Sequence, residues 1–360
     1  MANETGSQQP KKNIFSMQID LSKFKPATEE EKKQADVMSE STTFFKDGMR
    51  KLRKNPLAMG AIVVLVLLLL TIIFAPMIVP YKYSQIISVN GKRDKTAKNL
   101  APFTYSKMEQ EYIADGGKVF PHIMGTDANC RDYFIRVVYG TRVSLSIGFF
   151  ASILVLIIGL LYGSIAGYAG GRTDLIMMRI VDVIYSLPDM LLIILLSVIL
   201  KARLEAAAGA SEIVKKLGAN MIALFIVYGL LYWVGMARLV RGQILTIKKN
   251  EYVLAAQSIG AKSGHIIWKH ILPNCMSVII ITTALQIPSA IFTESFLSFA
   301  GLGVQAPMPS LGSLANVARQ GLQSYPMQLV FPAVTICLIV LSFNLLGDGL
   351  RDAFDPKLRR

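Results

Sequence analysis

The chain has 360 residues, 52% of them hydrophobic, and a formal net charge of +14. Its apolar residues gather into long uncharged runs, and a run of roughly 18 or more can cross a hydrocarbon core as a helix. Membrane proteins keep Lys and Arg on their cytoplasmic side, so the positive charge does not require a nucleic-acid partner. The composition therefore argues against a nucleic-acid-binding protein and predicts an all-α integral membrane protein.

The N-terminal part divides into two predicted segments. Residues 1–42 are polar and mixed in charge, which indicates a cytoplasmic tail, and residues 43–79 form a surface helix followed by the first transmembrane helix. Apolar residues at helical spacing alternate with basic ones in the surface helix, as in a helix that lies on a membrane. A plain basic flank without a defined helix is the alternative. The basic residues are Lys46, Arg50, Lys51, Arg53 and Lys54.

About six transmembrane helices are predicted from apolar runs. These runs are 60–79, 143–168, 175–200, 221–237, 275–292 and 328–347. The third run contains Pro188, which we expect to kink or loosen its helix. The basic flank before the first run places the N-terminus in the cytoplasm, and six crossings return the tail at 351–360 to the same side.

Between these helices the sequence predicts two larger connections. Residues 80–142 are too long for a turn and indicate an extracytoplasmic loop or subdomain. Residues 143–350 form a five-helix core with a cytoplasmic loop at 238–273. The chain has no P-loop, no metal-ligand spacing of histidines and no nucleophile elbow. We therefore predict no catalytic residue and no metal site.

The cytoplasmic loop contains a helix, a glycine and a second helical stretch that ends near Pro273. The small side chains of Ala255, Ala256 and Ala261 would let this loop approach another protein closely. A helical hairpin that only links two spans is the alternative, and composition alone does not choose between them.

This loop resembles the coupling loop of ABC-importer permeases, which has the pattern Glu-Ala-Ala, three residues, Gly, nine residues, Ile, one residue, Leu-Pro. Two positions depart from the pattern, since Leu254 replaces the acidic residue and His270 replaces the isoleucine. Glu251 opens the stretch in the form common to the peptide branch of the family. The matching residues are Ala255, Ala256, Gly260, Leu272 and Pro273.

Further motifs extend the resemblance over roughly residues 44–360. They resemble stretches of the oligopeptide and dipeptide permeases and occur in the same order. The chain looks like the second, "C"-type permease subunit of the peptide/nickel transporter family. The motifs lie at 125–127, 131–132, 139–145, 178–182, 186–188, 237–243, 293–299 and 301–303.

The resemblance implies a type I importer permease fold and a transport role in the cell membrane of a prokaryote, with both termini cytoplasmic. It implies that a second homologous permease, two cytoplasmic ATPase subunits and an extracytoplasmic peptide-binding protein are partners, besides membrane lipid. ATP and Mg²⁺ would bind the ATPase subunits, with no cofactor on this chain. The residues expected to couple to an ATPase are Glu251, Ala255, Ala256, Gly260 and Ala261. Oligopeptides are the expected cargo; nickel or another small solute is one alternative, and a non-ABC channel is another.

Arg179, Asp182 and Asp189 lie inside the third predicted span, and Glu294 lies near the outer end of the fifth. A charge in mid-bilayer costs at least ~2.5 kcal/mol on insertion scales, so such residues often have a function. Arg179 and Asp182 are three residues apart and could pair on one helix face. Asp189 falls on nearly the same face as Asp182. These charges either line the translocation pathway and hold peptide termini or fix helix packing.

Four glycines on the second span recur at or near a spacing of four residues. This pattern is typical of close helix packing in membranes, because a missing side chain lets two backbones approach. The glycines are Gly148, Gly159, Gly163 and Gly167.

Overall fold

The computed structural model describes residues 44–207, 218–304 and 308–354. The tail predicted at 1–42 and most of the tail predicted at 351–360 lie outside these residues. Helices dominate the described part, and five of them are long and apolar enough to cross a membrane. A sixth span exists if two helices joined by a sharp bend are counted as one.

The first two helices are α1 (Phe44–Lys54) and α2 (Pro56–Ile78). They are separated by Asn55, whose side chain accepts hydrogen bonds from the backbone N–H groups of Leu57 and Ala58 at 3.1 and 3.2 Å. Pro56 occupies the first turn of α2, where a missing N–H costs nothing. Helix α1 therefore ends just before Asn55, and helix α2 begins just after it.

A small subdomain follows α2, and we call residues 79–132 the hairpin subdomain. It contains strands β1 (Ser88–Val89) and β2 (Lys92–Arg93), which pair antiparallel, and helix α3 (Lys107–Ala114). Asn90 and Gly91 make the turn with φ of 51° and 75°, as a two-residue hairpin requires.

Helix α4 (Tyr133–Ala169) begins directly after the hairpin subdomain. Asp132 caps it by accepting a hydrogen bond from the Ile135 N–H at 3.0 Å. The predicted boundary at residue 142 was therefore too late, because Arg136 and Arg142 interrupt the uncharged run but not the helix. With 37 residues, α4 is about 55 Å long and exceeds the thickness of a bilayer core.

The third predicted span, 175–200, is not one helix. It divides into α5 (Gly171–Tyr185) and α6 (Asp189–Ala207), which are bent by 84° relative to each other. Pro188 lies at the break, where it lacks an N–H for the helical ladder and disfavours helical backbone at the residue before it. The expected kink is confirmed, and it is sharp enough to give two separate helices.

The remaining described residues, 218–304 and 308–354, are mostly helical. Their elements are α7 (Ala219–Leu231), α8 (Trp233–Ile247), α9 (Glu251–Ser258), α10 (Ser263–Ile266), a π-helix (Ile267–Ile271), α11 (Leu272–Phe299), α12 (Leu311–Arg319) and α13 (Pro326–Phe354).

The loop predicted at 238–273 is shorter in the structure. Helix α8 continues to Ile247 and α10 begins at Ser263, so we call residues 248–262, which contain α9, the connecting loop. Pro273 does not end a helix but lies in the first turn of α11, after the π-helix. The wide π turn accommodates the proline ring and its missing N–H, so the helix passes through it.

The glycines of α4 face neighbouring helices at very short distances. A Cβ atom at Gly163 would lie 2.5 Å from the carbonyl oxygen of Ala237 on α8, and one at Gly159 would lie 2.6 Å from the Met236 side chain. A Cβ at Gly148 would lie 2.4 Å from Ile291 on α11. The prediction of close helix packing is therefore confirmed.

We predict that Gly163→Ala destabilises the protein, because the new methyl group meets a backbone oxygen that only a shift of α8 can move. Overpacking of this kind costs about 1–3 kcal/mol. The apparent melting temperature of the detergent-solubilised protein should fall by several degrees. Gly229→Ala is the matched control, since its Cβ would make ordinary contacts at 3.7 and 3.8 Å. Equal melting temperatures of the two variants would contradict the packing argument.

Candidate coupling loop and membrane charges

The connecting loop is built around one short helix and one glycine. Helix α9 starts at Glu251, whose carboxylate suits the positive end of the helix dipole. Gly260 has a φ of +79°, a conformation that other residues adopt only with strain. The next N–H, that of Ala261, donates to the Ala256 carbonyl at 3.1 Å and completes the helix end. Gly260 therefore turns the chain from α9 into α10.

One face of α9 packs against this chain itself. Val253 and Ala256 are buried in a cluster that includes Ile244, Ile266 and Ile271. Ala256 was predicted to contact another protein, and the structure instead places it in the core, because it lies on the same helix face as Val253. Of the other predicted coupling residues, Glu251, Ala255 and Gly260 are exposed and Ala261 is half-buried.

The exposed side of α9 carries apolar residues that the sequence analysis did not single out. Ile259 is 85% exposed, and Tyr252 and Leu254 are 42% and 50% exposed. Tyr252, Ala255 and Ile259 are spaced by three and four residues, so they lie along one side of the helix. We call these three residues the apolar edge. Exposed apolar residues that cluster in this way mark protein contacts.

Two cationic side chains hold α8 and the start of the connecting loop to neighbouring helices. Arg241 on α8 makes two hydrogen bonds to Asp174 on α5, at 2.5 and 2.6 Å. Lys248 donates to the backbone carbonyl of Tyr168 at 2.5 Å, at the end of α4. The start of the loop is therefore held to α4 and the preceding helix α8 to α5, by contacts that sequence spacing did not indicate.

Asp182 does not pair with Arg179. Its carboxylate instead accepts a hydrogen bond from Arg238 on α8 at 2.8 Å, and the Arg238 guanidinium also lies over the Tyr185 ring at 4.2 Å. The prediction was wrong because it considered one helix alone, whereas α8 crosses α5 at this turn. Arg179 is exposed.

Asp189 begins α6, after the break. Its carboxylate accepts a hydrogen bond from the Met190 N–H at 2.8 Å. The expectation that Asp189 and Asp182 share a helix face was wrong, because the 84° bend separates them. Asp189 lines a cavity of about 340 Å³ between α5, α6 and the meeting point of α7 and α8.

Glu294 lies inside the protein, with no exposed surface. It accepts hydrogen bonds from the hydroxyl groups of Ser144 and Ser298, both at 2.7 Å. Ser144 in turn accepts a bond from the Leu311 N–H at 3.3 Å. Glu294 therefore joins α4, α11 and α12, which supports a packing role for this residue within the structure described.

A second buried polar network holds the hairpin subdomain to α4. The fully buried His122 ring contacts Asp132 through Nδ1 at 2.8 Å and Glu109 through Nε2 at 3.0 Å. Burial lowers the pKa of His122, but the hydrogen bonds to the two carboxylates outweigh it and raise that pKa to about 9. His122 is thus a cation at neutral pH and ties α3 to the cap of α4. In the sequence, the only sign of this role was that His122 lies in a polar segment between predicted spans.

Comparison of the amino-acid sequence with known protein families identifies the family of this chain. Residues 159–360 match the family described as the inner membrane component of binding-protein-dependent transport systems, and this is more than half of the chain. The chain belongs to that family of permeases. Residues 43–110 also match the N-terminal transmembrane domain of oligopeptide transport permease C.

Individual relatives agree with the family match. The permease is 40% identical over 337 residues to an oligopeptide transport system permease protein of Bacillus subtilis, covering 94% of this chain and 97% of the relative. It is 42% identical over 334 residues to a dipeptide transport system permease protein of the same organism, covering 92% of each chain. An Escherichia coli oligopeptide permease protein is 36% identical over 320 residues, or 89% and 93% of the two chains.

These matches confirm the predicted family and the type I importer permease fold. They also confirm that the protein is integral to the inner membrane and is a component of a larger transport system. The relatives are named as permease subunits, not as enzymes.

We predict that the His122 network makes the permease less stable at alkaline pH. The pKa of His122 is higher in the folded state than the ordinary 6.5, so its contribution is complete below 6.5 and is lost as pH rises through about 9. The loss is roughly 1.4 kcal/mol per pH unit within that window. Melting temperatures measured from pH 6 to pH 10 should show it.

The His122→Gln variant is the control for this prediction, because glutamine keeps a hydrogen-bonding side chain but does not titrate. It should be less stable at pH 6.5 and should lose the additional decline between pH 6.5 and 9. A parallel pH profile of the two proteins would show that other groups cause the decline.

Proposed function

We propose that this permease moves oligopeptides into the cell, through a path that it forms with a second, homologous permease subunit. The observation that carries this proposal is the identity of 40% and 42% to oligopeptide and dipeptide permeases over nearly the whole chain. Nickel or another small solute, and a non-ABC channel, receive no support from these comparisons.

Two cytoplasmic ATPase subunits would supply the energy, with ATP and Mg²⁺ bound to them. We place α1 and the connecting loop on the cytoplasmic side, because the basic residues of α1 precede the first span. The C-terminus then lies on the same side and the hairpin subdomain on the outside of the cell membrane.

The apolar edge is our candidate for the surface that enters a groove on an ATPase subunit. Its residues Tyr252 and Ile259 present apolar surface that a partner would remove from water. Glu251 starts the helix that carries the edge, and Gly260 ends it. Because Val253 on the opposite face is buried in the core, a displacement of α9 would move α8 with it.

The hairpin subdomain is our candidate for the docking surface of an extracytoplasmic peptide-binding protein. Next to it lies a groove of about 310 Å³, with Leu100 and Pro102 on one wall and Tyr325 and Met327 on the other. Gln328 links the two walls through hydrogen bonds to Asn99 at 3.2 Å and to the Thr126 carbonyl at 2.9 Å. A partner bound here would contact both the subdomain and the start of α13.

Peptide uptake by whole cells tests the cargo. Cells that lack this chain, and have no redundant peptide system, should fail to take up labelled peptides, and restoring the chain should restore uptake. Assays from dipeptides to octapeptides would define the accepted length. Unchanged uptake at every length would reject the peptide proposal while leaving the family membership intact.

We predict that Ile259→Asp uncouples the permease from its ATPase subunits. Burying an isoleucine side chain contributes about 1.5–3 kcal/mol, so replacing it with a charge should weaken binding at least about tenfold. Copurification of the ATPase subunits with the tagged permease should fall, and peptide uptake should fall with it.

Gln257→Asp is the matched control, because it adds the same charge at an exposed position on the other edge of α9. It should retain both copurification and uptake, and the amount of permease in the membrane should be normal in both variants. Normal ATPase binding by Ile259→Asp would remove the apolar edge from the proposed contact.

A further inference from the structure

The break between α5 and α6 opens a cavity whose lining includes the carboxylate of Asp189 and the Tyr185 side chain. Its walls are mainly apolar and include Leu192 from α6 and Leu231 from α7. Asp189 lies at the break itself, where the chain leaves one helix and starts the next at 84°. At about 340 Å³ the cavity falls within the range of small-molecule sites, and it is large enough for a single amino-acid residue.

The charges around this cavity do not balance. Asp182 is paired with Arg238 at 2.8 Å, and that arginine is further engaged by the Tyr185 ring, so the pair is neutral as a unit. Within residues 44–207, 218–304 and 308–354, no ion pair includes Asp189. The cavity therefore carries one uncompensated negative charge.

The negative charge of Asp189 in the broken span requires either water or a positively charged partner. An unpaired carboxylate at membrane depth is costly, and carboxylates there face a water-filled path or pair with a cation. The complementary ligand carries a positive group beside an apolar one, since the exposed carboxylate lies beside apolar lining residues such as Leu192 and Leu231. The N-terminal residue of a peptide has this form, because its α-amino group has a pKa of about 7.7–8.0 and is largely protonated at neutral pH.

We propose that Asp189 binds the N-terminal ammonium group of the peptide in transit, while the cavity walls contact the first side chain. This inference rests on the proposed peptide cargo. It assigns Asp189 a binding role that differs from the packing roles of Asp182 and Glu294, whose carboxylates are already engaged within the chain. The remainder of the peptide would lie outside the cavity, so its length and later residues would not be selected here.

The charge of the cavity can be measured in membrane vesicles that contain the complete transporter. Leu192→Cys places a thiol in the cavity wall, and its modification by a cationic and by an anionic methanethiosulfonate reagent is followed by mass spectrometry of the segment around residue 192. The cationic reagent should react faster. Adding Asp189→Asn should slow the cationic reagent and speed the anionic one, each by about threefold. Adding Ser186→Ala, in the same break, should leave the preference unchanged.

Protection by peptides then identifies the ligand. A tripeptide with a free N-terminus should slow modification of the cysteine, and its N-acetylated form should not. In uptake assays Asp189→Glu should retain transport that Asp189→Asn loses. Equal rates for the two reagents would overturn the inference and indicate that a cation of a partner subunit already neutralises Asp189.

Two further outcomes separate this inference from the proposed function. Equal protection by free and acetylated tripeptides would overturn the ammonium assignment and leave the peptide cargo standing. A charge preference without protection by either tripeptide, in vesicles that still take up peptides, would also overturn the assignment alone. Vesicles that take up no peptide at all would overturn the proposed function, and this inference with it.

Discussion

The close approach of α4 and α8 determines where the connecting loop and its helix α9 lie. Gly159 and Gly163 bring the two helices within contact of each other's backbones, which larger side chains would prevent. Only at this distance does Lys248, just beyond α8, reach the Tyr168 carbonyl at the end of α4. The connecting loop therefore leaves the helices at a fixed point, and its helix α9 can rest one face on the core while the other remains open to a partner.

Polar groups fix the opposite part of α4 in a different way. A polar group buried away from water needs a hydrogen-bond partner inside the protein, whether it lies in a membrane-spanning helix or in the hairpin subdomain. Ser144 and Glu294 satisfy each other between α4 and α11, and His122 is enclosed by the carboxylates of Glu109 and Asp132. Glycines thus allow α4 to pack against α8 along one stretch, and hydrogen bonds join α4 to α11 and to the hairpin subdomain.

The sequence predicted features that depend on local patterns and missed those that depend on helix crossings. Run length was enough to locate five of the six spans, Pro188 was enough to expect a kink, and Gly260 was enough to place the turn after α9. The partner of Asp182 could not be predicted, because helical spacing favours Arg179 and only the crossing of α8 brings Arg238 closer. The burial of Ala256 could not be predicted either, since the composition of an alanine-rich helix does not show which of its faces is buried.

The crossing of α5 and α8 connects the apolar edge of α9 with the Asp189 cavity. Helix α8 holds α5 twice, through Arg241 to Asp174 and through Arg238 to Asp182, so the two helices move together unless both ion pairs break. Since α9 is anchored in the core beside α8, the proposed coupling predicts that a displacement beginning at the apolar edge reaches α5. Helix α5 ends at the break that forms the Asp189 cavity, and a rotation of α5 against α6 changes the 84° angle there. In the proposed mechanism the break is therefore the place where motion of the connecting loop would alter the surroundings of Asp189.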